Sequence, residues 1–357
     1  MKTSKAALLK INLAFLSTFL FLNSAALSAE NDWWPAKVVE IVNSEQKPFE
    51  YEPIQKVSNK WHICVLLPHM KDTSWVAANY GVVEHAKKLG LKVSVFEAGG
   101  YENLSRQISQ FDDCVALGVD AIILSAISEA GLAQKIREAA DKKIVQVALV
   151  NPIADAPVNA GVFNDYKYKA SIAAKAAIEL LSAGGNVTAI DLPGPAGSGW
   201  AESAASGFDT VVEGTNIAVL DTKFGDTGKV EQTQIIEDAF QTYDKIDLIF
   251  GNGVAAEAAP SVIRQMGLTG KVKVISWYST EGVWNGIRNG TIEGTSDEEL
   301  VVTGAIAVDI AARALEGQAY PTRILPPTFY ANKESISTVN WGRVLAPENW
   351  RPVFNVD

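Results

Sequence analysis

Hydrophobic and polar positions follow two alternating rhythms along this chain. From His62 the pattern becomes regular. A short apolar run, Ile63–Leu67, is followed by a stretch opened by Ser74-Trp75-Val76 that keeps helical spacing to Leu89 and closes at Gly90. Lys92–Phe96 reads as a strand, Asn103–Leu117 as a helix stopped by Gly118, and Ala121–Leu124 as the next strand. Glu129–Asp141 is then helical and Ile144–Val150 extended. Short β-rich runs alternating with helical runs of about 12–16 residues predict βαβ units and a parallel sheet covered on both faces.

The rhythm restarts after about residue 160. Helices are expected at Tyr168–Ser182, Trp200–Glu213, Val230–Tyr243 and Ala255–Met266, with strands at Val187–Leu192, Ile217–Leu220, Leu248–Phe250 and Val272–Ser276. A final long helix, Leu300–Glu316, begins beside Thr295 and Ser296, which offer N-cap chemistry. The expected fold class is α/β: two doubly wound parallel-sheet lobes of similar size joined by a hinge. Residues 58–162 with 295–318 are expected to form the N-terminal lobe, and 163–294 with 319–357 the C-terminal lobe. Residues 30–57, which include Trp33, Trp34 and Pro35, lack clear periodicity and read as an N-terminal extension.

Ahead of that extension, Lys2, Lys5 and Lys10 precede an apolar run from Ile11 to Leu22 and a small-residue exit, Asn23–Ala29. This is the pattern of a cleaved signal peptide over residues 1–29. An uncleaved anchor is the alternative, but the run is shorter than the ~20 residues a span needs. Cleavage is expected between Ala26 and Ala29, and loss of the three lysines takes the net charge from -10 to -13. No second apolar stretch approaches spanning length. The expected product is an exported, periplasmic protein that does not itself span a membrane.

Composition narrows the function classes. At roughly 100–200 residues per domain, 357 residues make two domains. With 48% hydrophobic and 20% charged residues, the chain is neither disordered nor a disulfide-dense miniprotein. Its acidic balance argues against nucleic-acid or anionic-membrane partners, which want surplus Lys and Arg. Three histidines and two cysteines leave few zinc ligands, and no metal spacing exists. Export permits a bridge between Cys64 and Cys114, two buried reduced thiols being the alternative.

In open parallel sheets the ligand lies beyond the carboxyl ends of the strands. The segments to read are therefore Pro68–Trp75, Glu97–Tyr101, Ser125–Ser128, Asn151–Ile153, Asn164–Tyr166, Pro193–Trp200, Gly251–Val254 and Trp277–Thr280. They carry aromatics and amides, and almost no charge beyond Lys71, Asp72 and Asp165. A nucleophile elbow needs Gly-x-Ser-x-Gly, which Gly197-Ser198-Gly199 does not supply. Pro193–Gly199 lacks the end of a phosphate loop and the dinucleotide pattern, and reads as a tight turn for close backbone approach. His62 and His85 read as ordinary strand and helix positions, while His69 can line the cleft without an obvious partner. No catalytic residue, metal site or cofactor is assigned, and the chain is not read as an enzyme.

What remains is an aromatic cleft. Trp75, Tyr101 and Tyr278 each fall just beyond a predicted strand end. Aromatic faces attract a cation by about 0.5–2 kcal/mol each, depending on desolvation. A methylated quaternary or N-oxide nitrogen suits such a cage because hydrogen bonding cannot satisfy it. The competing reading is that each ring merely caps its own lobe's core.

At these residues the chain resembles the trimethylamine N-oxide-sensing branch of the ribose-binding-type (type I) periplasmic binding proteins, from about Trp61 to Phe354. The resemblance is carried by Leu67-Pro68-x-x-Lys71-Asp72-x-x-Trp75, Asn79-Tyr80-Gly81 and Glu97-Ala98-Gly99-Gly100-Tyr101. Pro193-Gly194-Pro195, Gly207-Phe208, Ala255-Ala256-Glu257-Ala258-Ala259 and Arg351-Pro352-Val353 add to it. It implies a hinged sensor that presents itself to the periplasmic sensor domain of an inner-membrane hybrid histidine kinase. It also implies a ligand cage of Trp75, Tyr101 and Tyr278, and it strengthens the Cys64–Cys114 bridge. Two cage positions depart: an aromatic expected before Trp75 is Ser74, and an expected Trp falls on Asn164.

The sugar-binding branch is the competitor. Its Asn-Asp pair appears here as Asn252-Gly253, and its arginine pair falls on Glu202 and Ala204. A sugar would thus lose charge-assisted hydrogen bonds, although Asn164 and Asp165 can still bind hydroxyls. An ABC-importer solute-binding protein is the alternative to a sensor. A LacI-type repressor would need a helix-turn-helix where this chain has its leader.

Overall fold

The structure is a computed structural model that describes residues 32–357; the signal peptide expected over residues 1–29 lies outside the described residues. Ile63 to Leu67 are all buried, which makes strand β3 (His62–Leu67) the middle of a sheet. It pairs in parallel with β4 (Lys92–Glu97) and β5 (Ala121–Leu124), and β6 (Val145–Val150) and β7 (Ala160–Phe163) continue the parallel order. Helices α1 (Thr73–Leu89), α2 (Leu104–Ala116) and α3 (Glu129–Asp141) connect these strands. Helix α1 starts at Asp72, whose side chain accepts from the Trp75 N–H, and stops at Gly90 in the left-handed region. Cys64 and Cys114 are joined as a disulfide between β3 and α2, with Cα atoms 5.9 Å apart.

The second lobe repeats the plan. Its elements are α4 (Tyr166–Leu181), β8 (Val187–Leu192), α5 (Trp200–Val212), β9 (Ile217–Thr222) and α6 (Lys229–Thr242). They continue with β10 (Leu248–Gly251), α7 (Gly253–Gln265), β11 (Lys273–Ser276), α8 (Glu281–Asn289) and β12 (Gly294–Asp297). The sheet runs β14-β12-β11-β10-β8-β9 and is parallel except for β14 (Phe329–Asn332). The fold is therefore α/β, with two doubly wound, parallel-dominated sheets.

Four segments depart from the expected organisation. Within the expected extension, the described residues 32–57 are not irregular, because β1 (Ala36–Val42) and β2 (Glu45–Tyr51) form a hairpin. Asn43 and Ser44, both at positive φ (51° and 66°), make its two-residue turn. All of β2 except Tyr51 is exposed, so no alternation betrayed it. Residues 295–297 belong to the second sheet as β12. Ser296 is no cap: its hydroxyl donates to the Lys169 and Trp277 carbonyls, and helix α9 (Leu300–Leu315) starts without a side-chain cap. Finally, β13 (Arg323–Leu325) and β15 (Asn355–Val356), expected in the second lobe, pair within the first sheet, whose order is β15-β4-β3-β5-β6-β7-β13-β1-β2.

The chain thus passes between lobes at residues 164–165, 298–299 and 326–328, and again in the tail before β15. Helix α9 crosses α1 so closely that a Cβ on Gly81 would lie 1.8 Å from the Val301 carbonyl oxygen. A Cβ on Gly304 would lie 2.5 Å from that of Ala78. Only glycine allows this approach, and it fixes the hinge-proximal start of α9 against the start of α1. The hairpin is tied to the same pair of helices through buried Asp309, which accepts from Tyr51 (2.6 Å), the Ile54 N–H (2.8 Å) and Arg313 (2.8 Å), with His85 at 2.9 Å.

Candidate ligand-binding site

The strand ends of both lobes face one another, and the lobes are closed. His69 Nε2 lies 3.1 Å from the Thr227 hydroxyl, and Lys71 pairs with Asp226 at 2.9 Å. The Ser74 hydroxyl donates to the Ser279 carbonyl (2.8 Å), and the Glu281 N–H donates to Thr73 Oγ1 (2.9 Å). Each contact joins the first lobe to the second. Behind them lies a cavity that admits the centre of a water-sized sphere over about 40 Å³. That is room for a molecule of a few heavy atoms.

Its walls are mostly aromatic. Trp75, Tyr101, Tyr166, Trp200 and Tyr278 all line it. Ring centroids lie 5.4 Å apart for Tyr101 and Trp200, 5.8 Å for Tyr166 and Trp200, and 5.1 Å for Trp277 and Tyr278. Asn151 orders two of the tyrosines, donating to the Tyr101 hydroxyl and accepting from that of Tyr166, both at 3.1 Å. The turn that aims Asn151 is strained: Val150, a β-branched residue on the cavity wall, sits at φ 63°. Burial pushes the Tyr101, Tyr166 and Tyr278 hydroxyls well above their ordinary range, so they are neutral donors and acceptors at any physiological pH.

The position of Tyr278 depends on a residue without a side chain. A Cβ on Gly253 would lie 2.6 Å from Tyr278 Cε2 and 2.8 Å from its carbonyl oxygen. The first residue of α7 therefore has to be glycine for the ring to keep its place.

Two charged regions meet the aromatic lining. On the first-lobe side, the Asp72 carboxylate is 8% exposed and lines the cavity beside Trp75. Burial raises its pKa, against a lowering from His69 and the Trp75 and Ser74 N–H groups. At the hinge, Lys169, Asp297, Glu298 and Asn164 form a buried cluster. Asn164 Nδ2 donates to Glu298 Oε1 at 2.6 Å, Lys169 is ion-paired with Glu298 Oε2, and Asp297 accepts from the Ser279 hydroxyl. Burial pushes the Lys169 ammonium down and the Asp297 carboxyl up.

Among the residues singled out in the sequence, Trp75, Tyr101, Tyr278, Ser74 and Asn164 all come to this cavity. Asp165 does not: it is exposed and caps α4, accepting from the Tyr168 N–H at 2.9 Å. Asn252 is likewise committed elsewhere. Fully buried, it caps α7 through the Val254 and Ala255 N–H groups (3.0 Å each) and donates to the Leu192 carbonyl. His69, which lacked an obvious partner in sequence, finds one in Thr227 of the opposite lobe. Tyr166, Trp200, Asp72 and Lys169 were not singled out. The first three stood in the segments beyond the strands, but Lys169 lies within α4, where nothing in sequence marks it.

Residues 63–319 match the profile of the periplasmic binding protein domain, and the chain belongs to that family. It is 28% identical over 299 residues to the periplasmic protein TorT of Escherichia coli K12, covering 84% of this chain and 86% of that one. Among solved structures, it is similar to an ABC transporter solute binding protein from Bradyrhizobium sp. BTAi1 with bound bis-tris. That match has 40% identity and a TM-score of 0.78, covering 90% of this chain and 99% of the other. It is also similar to TorT in its complex with the TorS sensor domain in the presence of TMAO, at 27% identity and a TM-score of 0.73, covering 82% of this chain and 99% of the other.

Proposed function

We propose that this chain is a periplasmic receptor whose inter-lobe cleft takes a compact amine, either trimethylamine N-oxide or a related methylated or hydroxylated amine. The observation carrying this reading is the Asp72 carboxylate on the wall of a cavity built from five aromatic rings. A cationic nitrogen gains from both, through the ring quadrupoles and through a carboxylate largely removed from water. Trp200 and Tyr166 add two aromatic walls to a cavity that Ser74 and Asn164 also line. TMAO in the TorT complex and bis-tris in the Bradyrhizobium protein are both small amines or amine derivatives, which supports the class.

The reader of the liganded state is proposed to be the periplasmic sensor domain of a TorS-like hybrid histidine kinase in the inner membrane. Ligand favours the closed lobes, and the kinase responds to that shift in population. Resemblance to TorT across most of both chains supports this. The second reading, delivery of the amine to an ABC importer, is favoured by the 40% identity to a protein described as an ABC transporter component. Pairing with a dimeric kinase would give a two-to-two assembly.

Calorimetric titration of the mature chain with trimethylamine N-oxide and with bis-tris, with ribose as control, tests the ligand class. Heat with either amine and none with ribose is expected; heat with ribose alone moves the protein to the sugar branch. Repeating the titration with a purified TorS-like sensor domain present separates the two readers. A ligand-dependent change in affinity for that domain supports the sensor, and its absence favours the importer.

A further inference from the structure

The hinge end of the cavity carries hydrogen-bonding capacity that the protein itself does not use. Glu298 takes a hydrogen from Asn164 on one carboxylate oxygen and pairs with Lys169 on the other. A carboxylate accepts only, so the Asn164 amide must present its nitrogen there, which turns Oδ1 away. That oxygen is buried without a partner, on a residue 5% exposed that lines the cavity. An ammonium carries three donors. Lys169, 1% exposed and also lining the cavity, makes the ion pair with Glu298, and no side chain or carbonyl among the described residues accepts its remaining hydrogens. A buried donor and a buried acceptor thus flank one carboxylate at the same end of the cleft.

We infer that Asn164 and Lys169 form a hydroxyl-reading subsite, which makes an amino alcohol the preferred ligand over a fully alkylated amine. The inference rests on the amine reading of the cleft. A hydroxyl oxygen accepts from Lys169 while its proton goes to Asn164 Oδ1, so one group satisfies both. A methyl group satisfies neither and leaves both desolvated. A carboxylate accepts from Lys169, but it has no proton for Asn164 and brings negative charge beside Glu298 and Asp297. With its nitrogen at Asp72 and its hydroxyl at the hinge, such a ligand touches the first lobe and the hinge cluster together.

Two matched pairs test this by calorimetry on the mature chain: choline against ethyltrimethylammonium, and N,N-dimethylethanolamine against N,N-dimethylethylamine. Within each pair only a hydroxyl is exchanged for hydrogen. The hydroxylated member is expected to bind at least tenfold more tightly. Equal affinity within both pairs overturns the subsite and leaves the amine reading standing; no binding by any of the four overturns the subsite, and silence with trimethylamine N-oxide and bis-tris as well overturns the amine reading. Asn164→Ala, checked for folding by its thermal transition, is expected to erase the preference, so that the two members of each pair bind equally. A preference that survives in the folded variant removes Asn164 from the subsite.

Discussion

His69 of the first lobe and Thr227 of the second meet across the cleft at 3.1 Å, and the same imidazole accepts the Lys71 N–H at its other nitrogen (3.3 Å). An imidazole that accepts at Nδ1 and donates at Nε2 is neutral. Burial holds its pKa below the ordinary value, against the pull of Asp72, Asp226 and Glu97 and with the help of Lys71. Opening the lobes removes Thr227 and admits water, which returns the group toward its ordinary pKa. Closure therefore releases a proton once the pH drops below about 6.5. Ligand affinity is expected to fall with pH below that point, by at most tenfold per unit, and His69→Gln is expected to flatten the profile. Titrations between about pH 7.5 and pH 5.5 measure it, and a flat wild-type profile would refute the assignment.

Charge and ring contacts in the cage can be separated. Asp72→Asn keeps the N-cap of α1, since Asn caps as well as Asp, but removes the charge. It is expected to weaken amine binding by about ten- to a hundredfold, the 1.5–3 kcal/mol of a charge-assisted contact. Trp75→Ala and Tyr278→Ala are each expected to cost at least tenfold. Unchanged affinity in both ring variants would remove the cage.

Gly253→Ala places a methyl against the Tyr278 ring and its carbonyl oxygen. The backbone contact cannot swing aside, so the ring moves into the cavity. A loss of affinity of about tenfold is expected, larger than the accompanying fall in thermal midpoint explains, and calorimetry beside thermal unfolding resolves the two.

Asp309 ties the N-terminal hairpin to α1 and α9. Burial raises its pKa, but the bonds from His85, Tyr51 and Arg313 outweigh this and hold the carboxyl below its ordinary range. A depressed carboxyl stabilises the fold above its unfolded pKa, and that contribution is lost as the pH falls through the folded value. Asp309→Asn is expected to destabilise by about 3–5 kcal/mol at neutral pH, because His85 and Arg313 lose a buried partner. Urea unfolding should show that penalty shrinking below about pH 4.

The Cys64–Cys114 bridge spans a sequence separation of 50. Unfolded, unreduced mature protein is expected to show no free thiol. The double Cys→Ala variant is expected to lose about 2–4 kcal/mol in urea unfolding. A count near two thiols would refute the bridge in the protein as made.

Much of this architecture was legible because buried parallel strands must be apolar on both faces. Ile63–Leu67, Ala121–Leu124 and Leu248–Phe250 announce themselves for that reason, and the sheet rule then marks the segments beyond them. Trp75, Tyr101 and Tyr278 were readable in this way. The hairpin Ala36–Tyr51 was not, since its outer strand faces water on both sides and carries no alternation.

Local sequence determined the buried strands and the long helices, the two-lobe plan and three walls of the cleft, because periodicity and strand ends are properties of contiguous residues. Tertiary structure alone decided which side chains share the cavity. Asp165 and Asn252 sit at the right strand ends, yet the Oδ1 of each is turned to the N–H groups of the helix it starts. Lys169 comes from the interior of α4, where nothing in the sequence marks it, and Glu298 from a crossover whose neighbours lie more than a hundred residues away. Whether a polar group is spent on its own helix or left for a ligand depends on what folds against it, and the chain's linear order does not hold that information.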